Sequence, residues 1–258
     1  MSEQRHLGII QSRGLGDIVI ALPIARHYAD QGQKISWPIC EEFLPSFKDT
    51  VPWVNWIAIK TDLQGQYFYE RPMAELINEG CDEIICLYQS LNIVPELSDY
   101  PWFQIQHFDE FKYTKAEVPF LKKWTLADCI ARNPEREQAL RDRLVTNEHY
   151  VVAHLEGSNF KSELNVEDFV PEGWQLIRIE EGHTDCIFDW LGIIEAAESV
   201  ICVDSVFANL IDQLQLSVDK YWIPRSHIHL TPVLGTAWTI LDAPKGSMAA
   251  QKIFGSHK

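Results

Sequence analysis

Short apolar runs alternate with helical segments in two separate blocks of this chain. That alternation is the strongest constraint on what it can fold into. In the first block, residues 7–11, Lys34–Cys40, 56–59 and 83–87 read as strands, and residues 18–30, 41–47 and 74–78 read as helices. Pro23 sits inside the first helical pattern, so that helix is either kinked there or properly begins near Leu22. Gly32 and Gly80 are placed to stop helices. In the second block, Tyr150–His154, 174–179, Ser199–Val203 and 217–222 read as strands, and residues 191–197 and 206–214 as helices. Strands that alternate with helices favour a parallel sheet covered on both faces. The expected architecture is α/β: two Rossmann-like domains with mostly parallel sheets, residues 1–133 and 134–258, facing across a cleft. A ligand is then expected at the carboxyl ends of the strands.

Between the blocks, from Ile93 to Trp124, the periodicity breaks down. This stretch holds Tyr100, Trp102, Phe103, Phe108, Phe111, Tyr113, Phe120 and Trp124. Two readings stay open: a loop-rich patch packed by its own aromatics, or a platform on which sugar rings stack. Residues 135–144 form a charged helical pattern, either a connector or an early helix of the second half.

Composition removes several classes of protein. The 258 residues are 46% hydrophobic and 23% charged, as in soluble globular chains. No apolar run approaches the roughly 18 residues of a membrane span, although peripheral membrane contact stays open. The polar start, Met1 to His6, lacks the apolar core of a signal peptide. Six cysteines without a Cys-x-x-Cys pair fit reduced thiols and a cytoplasmic setting. A net charge of −15 opposes non-specific binding to nucleic acid.

Four constellations could carry chemistry. The first is Gly14-Leu15-Gly16-Asp17, between a strand and a helix. It is not the dinucleotide fingerprint, because Val19 stands where the third glycine would be. Asp17 either caps the helix or presents a reactive carboxylate at a site where a ligand can approach the backbone. The second is His154 to Lys161, a strand followed by the turn formers Gly157, Ser158 and Asn159. Lys161 there could neutralise a diphosphate as a point charge, or could be a solvated loop lysine. The third is Asp204-Ser205 at a strand-to-helix junction, a plain N-cap or a set of amides offered to an anion. The fourth is His227-Ile228-His229. No Cys or carboxylate cluster completes a ligand set there, so no metal is assigned, and Arg225 beside it is the better anion contact. Ser158 and Ser205 lack a nucleophile elbow, and no histidine is evidently placed to activate either, which points away from a serine hydrolase.

Together these constellations resemble the heptosyltransferases and their relatives in glycosyltransferase family 9, which have the two-Rossmann-domain GT-B fold. The resemblance rests on Gly16 to Pro23, on Ile35 to Phe43, on the spacing of His154 and Lys161, and on Leu191 to Ser205. It implies an inverting glycosyltransferase that needs no cofactor or metal. The sugar would pass from a nucleotide-sugar co-substrate to a glycan or glycolipid hydroxyl. By that resemblance Asp17 is the base. Lys161 holds the donor phosphates, and Asp204 and Ser205 line the donor pocket together with His154, Ser158, Asn209 and Arg225. Arg13 and Gly16 fall on the acceptor side. The family's donor turn continues with glycine and, three residues later, histidine; Val206 and Asn209 stand at those places. That departure keeps a second reading in play, a catalytically silent sugar-nucleotide-binding protein on the same scaffold. The acidic balance argues against a third, a viral-type DNA-base glycosyltransferase.

Overall fold

The computed structural model describes residues 4–62, 65–88, 107–158, 160–224 and 231–241. The chain divides into two compact units, Met1–Ala131 and Arg132–Lys258.

The N-terminal unit is built on four parallel strands, β1 (His6–Ile10), β2 (Lys34–Cys40), β3 (Asn55–Ile59) and β4 (Glu83–Cys86), in the order β3-β2-β1-β4. β1 is buried along its whole length, as an interior strand of a covered sheet should be. Its Gly8 lets the sheet meet the next helical layer closely, because a Cβ there would lie 2.8 Å from Leu76. Leu76 belongs to α3 (Glu70–Asn78), which follows α1 (Leu15–Asp30) and the short α2 (Leu44–Phe47).

Helix α1 starts at Leu15 and runs through Pro23, so a start near Leu22 is not found. Residues Ile18 to Ala25 are all buried, and that packing offsets the backbone bond Pro23 removes. One turn away, the Tyr113 hydroxyl donates to the Ile20 carbonyl at 2.9 Å.

The stretch read as irregular contains a helix, α4 (Phe108–Lys115), and a 3₁₀ segment (Phe120–Asp128). Asp109, Lys112, Tyr113 and Ala116 form its buried stripe at helical spacing. Two of the four are charged, and this hid the period. Lys123 on the 3₁₀ segment pairs with Asp109 at 2.7 Å, both side chains fully buried. Three of the described aromatics here pack on one another: Tyr113 on Phe120 and Phe120 on Trp124, edge to face at 5.3 and 5.4 Å. Tyr100, Trp102 and Phe103 lie outside the described residues.

The C-terminal unit opens with α5 (Pro134–Leu144), started by Asn133, whose side chain accepts the Arg136 amide. Arg136 then grips Asp189 through Nε and Nη2, and Arg132 bridges Glu137 and Glu195. The helix charges thus clamp α5 to α6 (Leu191–Glu195) and the 3₁₀ turn before it (Ile187–Trp190).

Among the described residues, the sheet of this unit holds five parallel strands. They are β5 (Tyr150–His154), β8 (Gln175–Arg178), β9 (Ser199–Val203), β10 (Asp219–Ile223) and β11 (Thr239–Ile240), ordered β11-β10-β9-β5-β8. Between β5 and β8 stands a two-residue-per-strand antiparallel hairpin, β6 (Glu156–Gly157) and β7 (Phe160–Lys161). It and β11 are too short to leave a period in the sequence. Helix α7 (Val206–Gln213) follows β9. Its buried Asp212 holds the loop before β11, accepting from the Gly235 and Thr236 amides, the Thr236 hydroxyl and the Trp238 indole.

All six cysteines are free thiols. Among the described residues, no helix is long and apolar enough to cross a membrane.

Candidate functional site

The candidate residues of the N-terminal unit gather at the carboxyl end of β1. The chain turns there on Gly14, whose φ of +83° lies in the left-handed region. A Cβ at this position would also stand 2.4 Å from Asp17 Oδ2, so glycine is required twice over. Asp17, in the first turn of α1, makes no capping bond. Its Oδ1 instead meets Lys112 Nζ at 3.0 Å.

Lys112 is the residue the sequence reading missed. Its side chain is only 3% exposed, against 36% for Asp17. Its other contacts are Gln11 Oε1 at 2.7 Å and the Leu87 carbonyl at 3.1 Å. Two of the ammonium's three donors go to these two acceptors, and the Asp17 carboxylate sits against it as an ion pair. Gln11 is itself held, since its Nε2 donates to the Arg13 carbonyl and its own carbonyl accepts from the Trp37 indole. The Asp17 carboxylate is therefore fixed at one oxygen by a chain of buried contacts, while its side chain still reaches solvent.

Arg13 leaves the same turn. Its guanidinium pairs with Glu42 at 3.1 Å and lies 5.2 Å over the Tyr67 ring. Its amide donates to the Tyr88 hydroxyl, which also meets Ser12 Oγ at 3.0 Å. Burial pushes the Tyr88 hydroxyl far above its ordinary range, so it stays protonated and acts as a structural donor and acceptor. Burial likewise raises the nearby Cys40 thiol to about 11, which removes it as a nucleophile at neutral pH. Gly16 sits beside Asp17 in the first turn of α1.

In the C-terminal unit the structure brings His154, Ser205 and Asn209 together. His154 Nδ1 lies 2.8 Å from Ser205 Oγ, across 51 positions of sequence. This contact was not foreseen. Ser205 occupies the N-cap position of α7, yet its side chain makes no cap bond to the helix, because the hydroxyl is turned to His154. The first-turn amides of α7 are thereby left uncapped by that side chain. Asn209 folds back to donate to the Ser205 carbonyl at 3.0 Å, and its Oδ1 is buried with no hydrogen-bond partner. Asp204 is buried, its amide bonded to the Ile223 carbonyl.

The remaining donor-side candidates stand apart from this cluster. Ser158 lies in the hairpin turn, and Lys161 on β7 is 75% exposed and paired with Glu156. Arg225, His227 and His229 lie outside the described residues. Among the described residues no group of three His, Cys, Asp or Glu side chains could hold a metal ion.

Burial pushes the His154 imidazole down to about 4, so it is neutral at pH 7 and too weak a base to activate Ser205. The same shift sets a pH dependence. Between about pH 6.5 and pH 4 the unfolded chain protonates this histidine and the folded chain does not. The unfolded state therefore binds more protons, and stability falls as the pH is lowered through that window, by up to about 3 kcal/mol. Melting temperatures of wild type and His154→Gln, compared at about pH 7 and about pH 4.5, check this. The wild type should lose more on acidification, and equal losses would remove His154 as the cause.

No family model matches the chain, and no curated protein matches it. Solved structures do. The glycosyl transferase family 9 protein from Veillonella parvula DSM 2008 superposes with a TM-score of 0.59 at 13% identity, over 100% of this chain and 93% of that one. The iron-containing dodecameric glycosyltransferase TibC from enterotoxigenic E. coli H10407 gives 0.56 at 10% identity, over 96% of this chain and 65% of that one. E. coli heptosyltransferase WaaC, solved with ADP-2-deoxy-2-fluoro heptose, gives 0.50 at 13% identity, over 98% of this chain and 100% of that one. The chain thus has the GT-B fold of glycosyltransferases. Within that fold, it is the family 9 and heptosyltransferase structures that it resembles.

Proposed function

We propose that this protein is an inverting glycosyltransferase that moves a sugar from a nucleotide-diphosphate donor to a hydroxyl of a glycan or glycolipid. The observation that carries the reading is the Asp17–Lys112 pair: a carboxylate at the mouth of the β1–α1 turn, oriented by a buried ammonium and still open to a ligand. A sugar hydroxyl is a weak nucleophile, and Asp17 takes its proton as the new bond forms. Such base assistance contributes about 10²–10⁴-fold. The leaving nucleoside diphosphate gains charge, which preorganised donors stabilise. The uncapped amides at the start of α7 and the Lys161 ammonium are assigned that work. Neutral His154 keeps the Ser205 hydroxyl away from those amides, and the unpartnered Asn209 Oδ1 is assigned to accept from a donor hydroxyl. Arg13 and Gly16 line the acceptor side. The relatives solved with ADP or an ADP-heptose analogue make adenine nucleotides the first donors to try.

A melting-temperature panel of ADP-, GDP- and UDP-sugars, each followed by a turnover assay with glycan acceptors, tests the reading. One donor class should raise the melting temperature by roughly 5–10 °C at a hundredfold excess over its Kd. That donor should also be consumed. Binding without turnover would favour a silent sugar-nucleotide-binding protein, and no binding by any donor would end both readings.

A further inference from the structure

The hairpin after β5 holds an ion pair at a position where an anion is expected to arrive. Glu156 and Lys161 are directly opposite one another in the β6–β7 register, so their side chains leave the same face and meet. Phe160 and Leu155 point the other way, into the core around Val151, Ala153, Ile201 and Val203. The base of the hairpin is anchored, its Ser162 amide donating to the Leu155 carbonyl at 2.9 Å. The charged face is exposed, with Glu156 at 59% and Lys161 at 75%. The hairpin starts two residues after His154, whose ring touches Ser205 at the N-terminus of α7. A flexible lysine on a fixed base, seven residues after His154, is therefore neutralised by a carboxylate of its own hairpin.

We propose that Glu156 is a built-in stand-in for the donor phosphates. It holds Lys161 on the hairpin while the site is empty, and a nucleotide diphosphate displaces it by taking over the lysine. This inference rests on the phosphate role of Lys161 given above. An exposed pair is weak, and so can be exchanged at small cost. A diphosphate offers more charge and more acceptor oxygens than one carboxylate, so the exchange runs toward the ligand. No bond is made or broken, and Glu156 returns to solvent.

The test is a double-mutant cycle read as Kd for inorganic pyrophosphate, ADP and adenosine at low salt. Glu156→Gln should tighten pyrophosphate and ADP by about two- to fivefold, the range expected for an exposed pair, and leave adenosine unchanged. Lys161→Ala should weaken pyrophosphate and ADP. In the Lys161→Ala background, Glu156→Gln should have no effect. The gain should also shrink at about 0.5 M salt. If Lys161→Ala weakens both anions but Glu156→Gln changes nothing, the stand-in role falls and the phosphate role survives. A gain that persists without Lys161 is general charge repulsion and also overturns it. Unchanged anion binding in Lys161→Ala, or no binding by the wild type, overturns the phosphate role and this inference together.

Discussion

Asp17→Asn is expected to lower turnover by about 10²–10⁴-fold while leaving donor affinity within about twofold of wild type. The asparagine is isosteric, and its oxygen can still accept from Lys112, so the turn around Gly14 keeps its shape. What disappears is the capacity to take a proton. The substitution also leaves the Lys112 ammonium, almost fully buried, without its carboxylate, so a lower melting temperature should accompany the loss. Lys112→Met separates the two effects. It keeps the base but frees its orientation, because the contacts from Lys112 to Gln11 and Leu87 go with it. Steady-state kinetics on the donor found by the panel gives the answer. An Asp17→Asn protein that retains more than about a third of wild-type turnover would show that another group takes the proton.

Lys123→Met should cost about 3–5 kcal/mol of stability. Lys123 and Asp109 form an ion pair with no solvent exposure on either side, at 2.7 Å. Removing the ammonium leaves a carboxylate buried in the N-terminal unit without its countercharge. The Lys123 ammonium also lies 5.5 Å over the Trp124 ring and 5.8 Å over Phe120, contacts that methionine keeps only as apolar packing. The double variant Lys123→Met, Asp109→Leu should regain most of the loss, because an apolar pair of similar volume carries no desolvation penalty. Urea unfolding of the full chain, followed by tryptophan fluorescence, measures both. A single variant within about 1 kcal/mol of wild type would mean that the pair is not the brace of α4. Since α4 also carries Lys112, the variant should disturb the candidate base as well.

The strands were the legible part of the fold. Lys34–Cys40, Tyr150–His154 and Ser199–Val203 have the bounds read from sequence, because apolar runs there stop abruptly at polar or turn residues. Helix α4 escaped because half of its buried stripe is charged, and a hydrophobic period cannot register Asp109 or Lys112. A search that allowed charges on a stripe at i, i+3, i+4 and i+7 would have found it. Asp17 was legible as a candidate from its turn alone. Its partner was not, since Lys112 joins Gln11 across 101 positions and only the folded sheet makes them neighbours. The His154–Ser205 contact has the same character. Lys161 was read as a counter-charge to a diphosphate or as a solvated loop lysine, and its pairing with Glu156 became visible only with the register of a hairpin too short to predict.

The order β3-β2-β1-β4 has a consequence for synthesis. Strand β1, made before its two neighbours, ends up in the interior of its sheet, with β2 on one side and β4 on the other. As the chain leaves the ribosome, β1 can pair with β2 once Cys40 has emerged, but its other edge stays bare until Cys86 follows. Lys112 emerges later still. A nascent chain therefore carries an open parallel edge of unpaired backbone groups through much of the translation of its first unit, and acquires its candidate base in working form only near the end. Slow codons or a bound chaperone between Cys40 and Lys112 would act on that interval and no other.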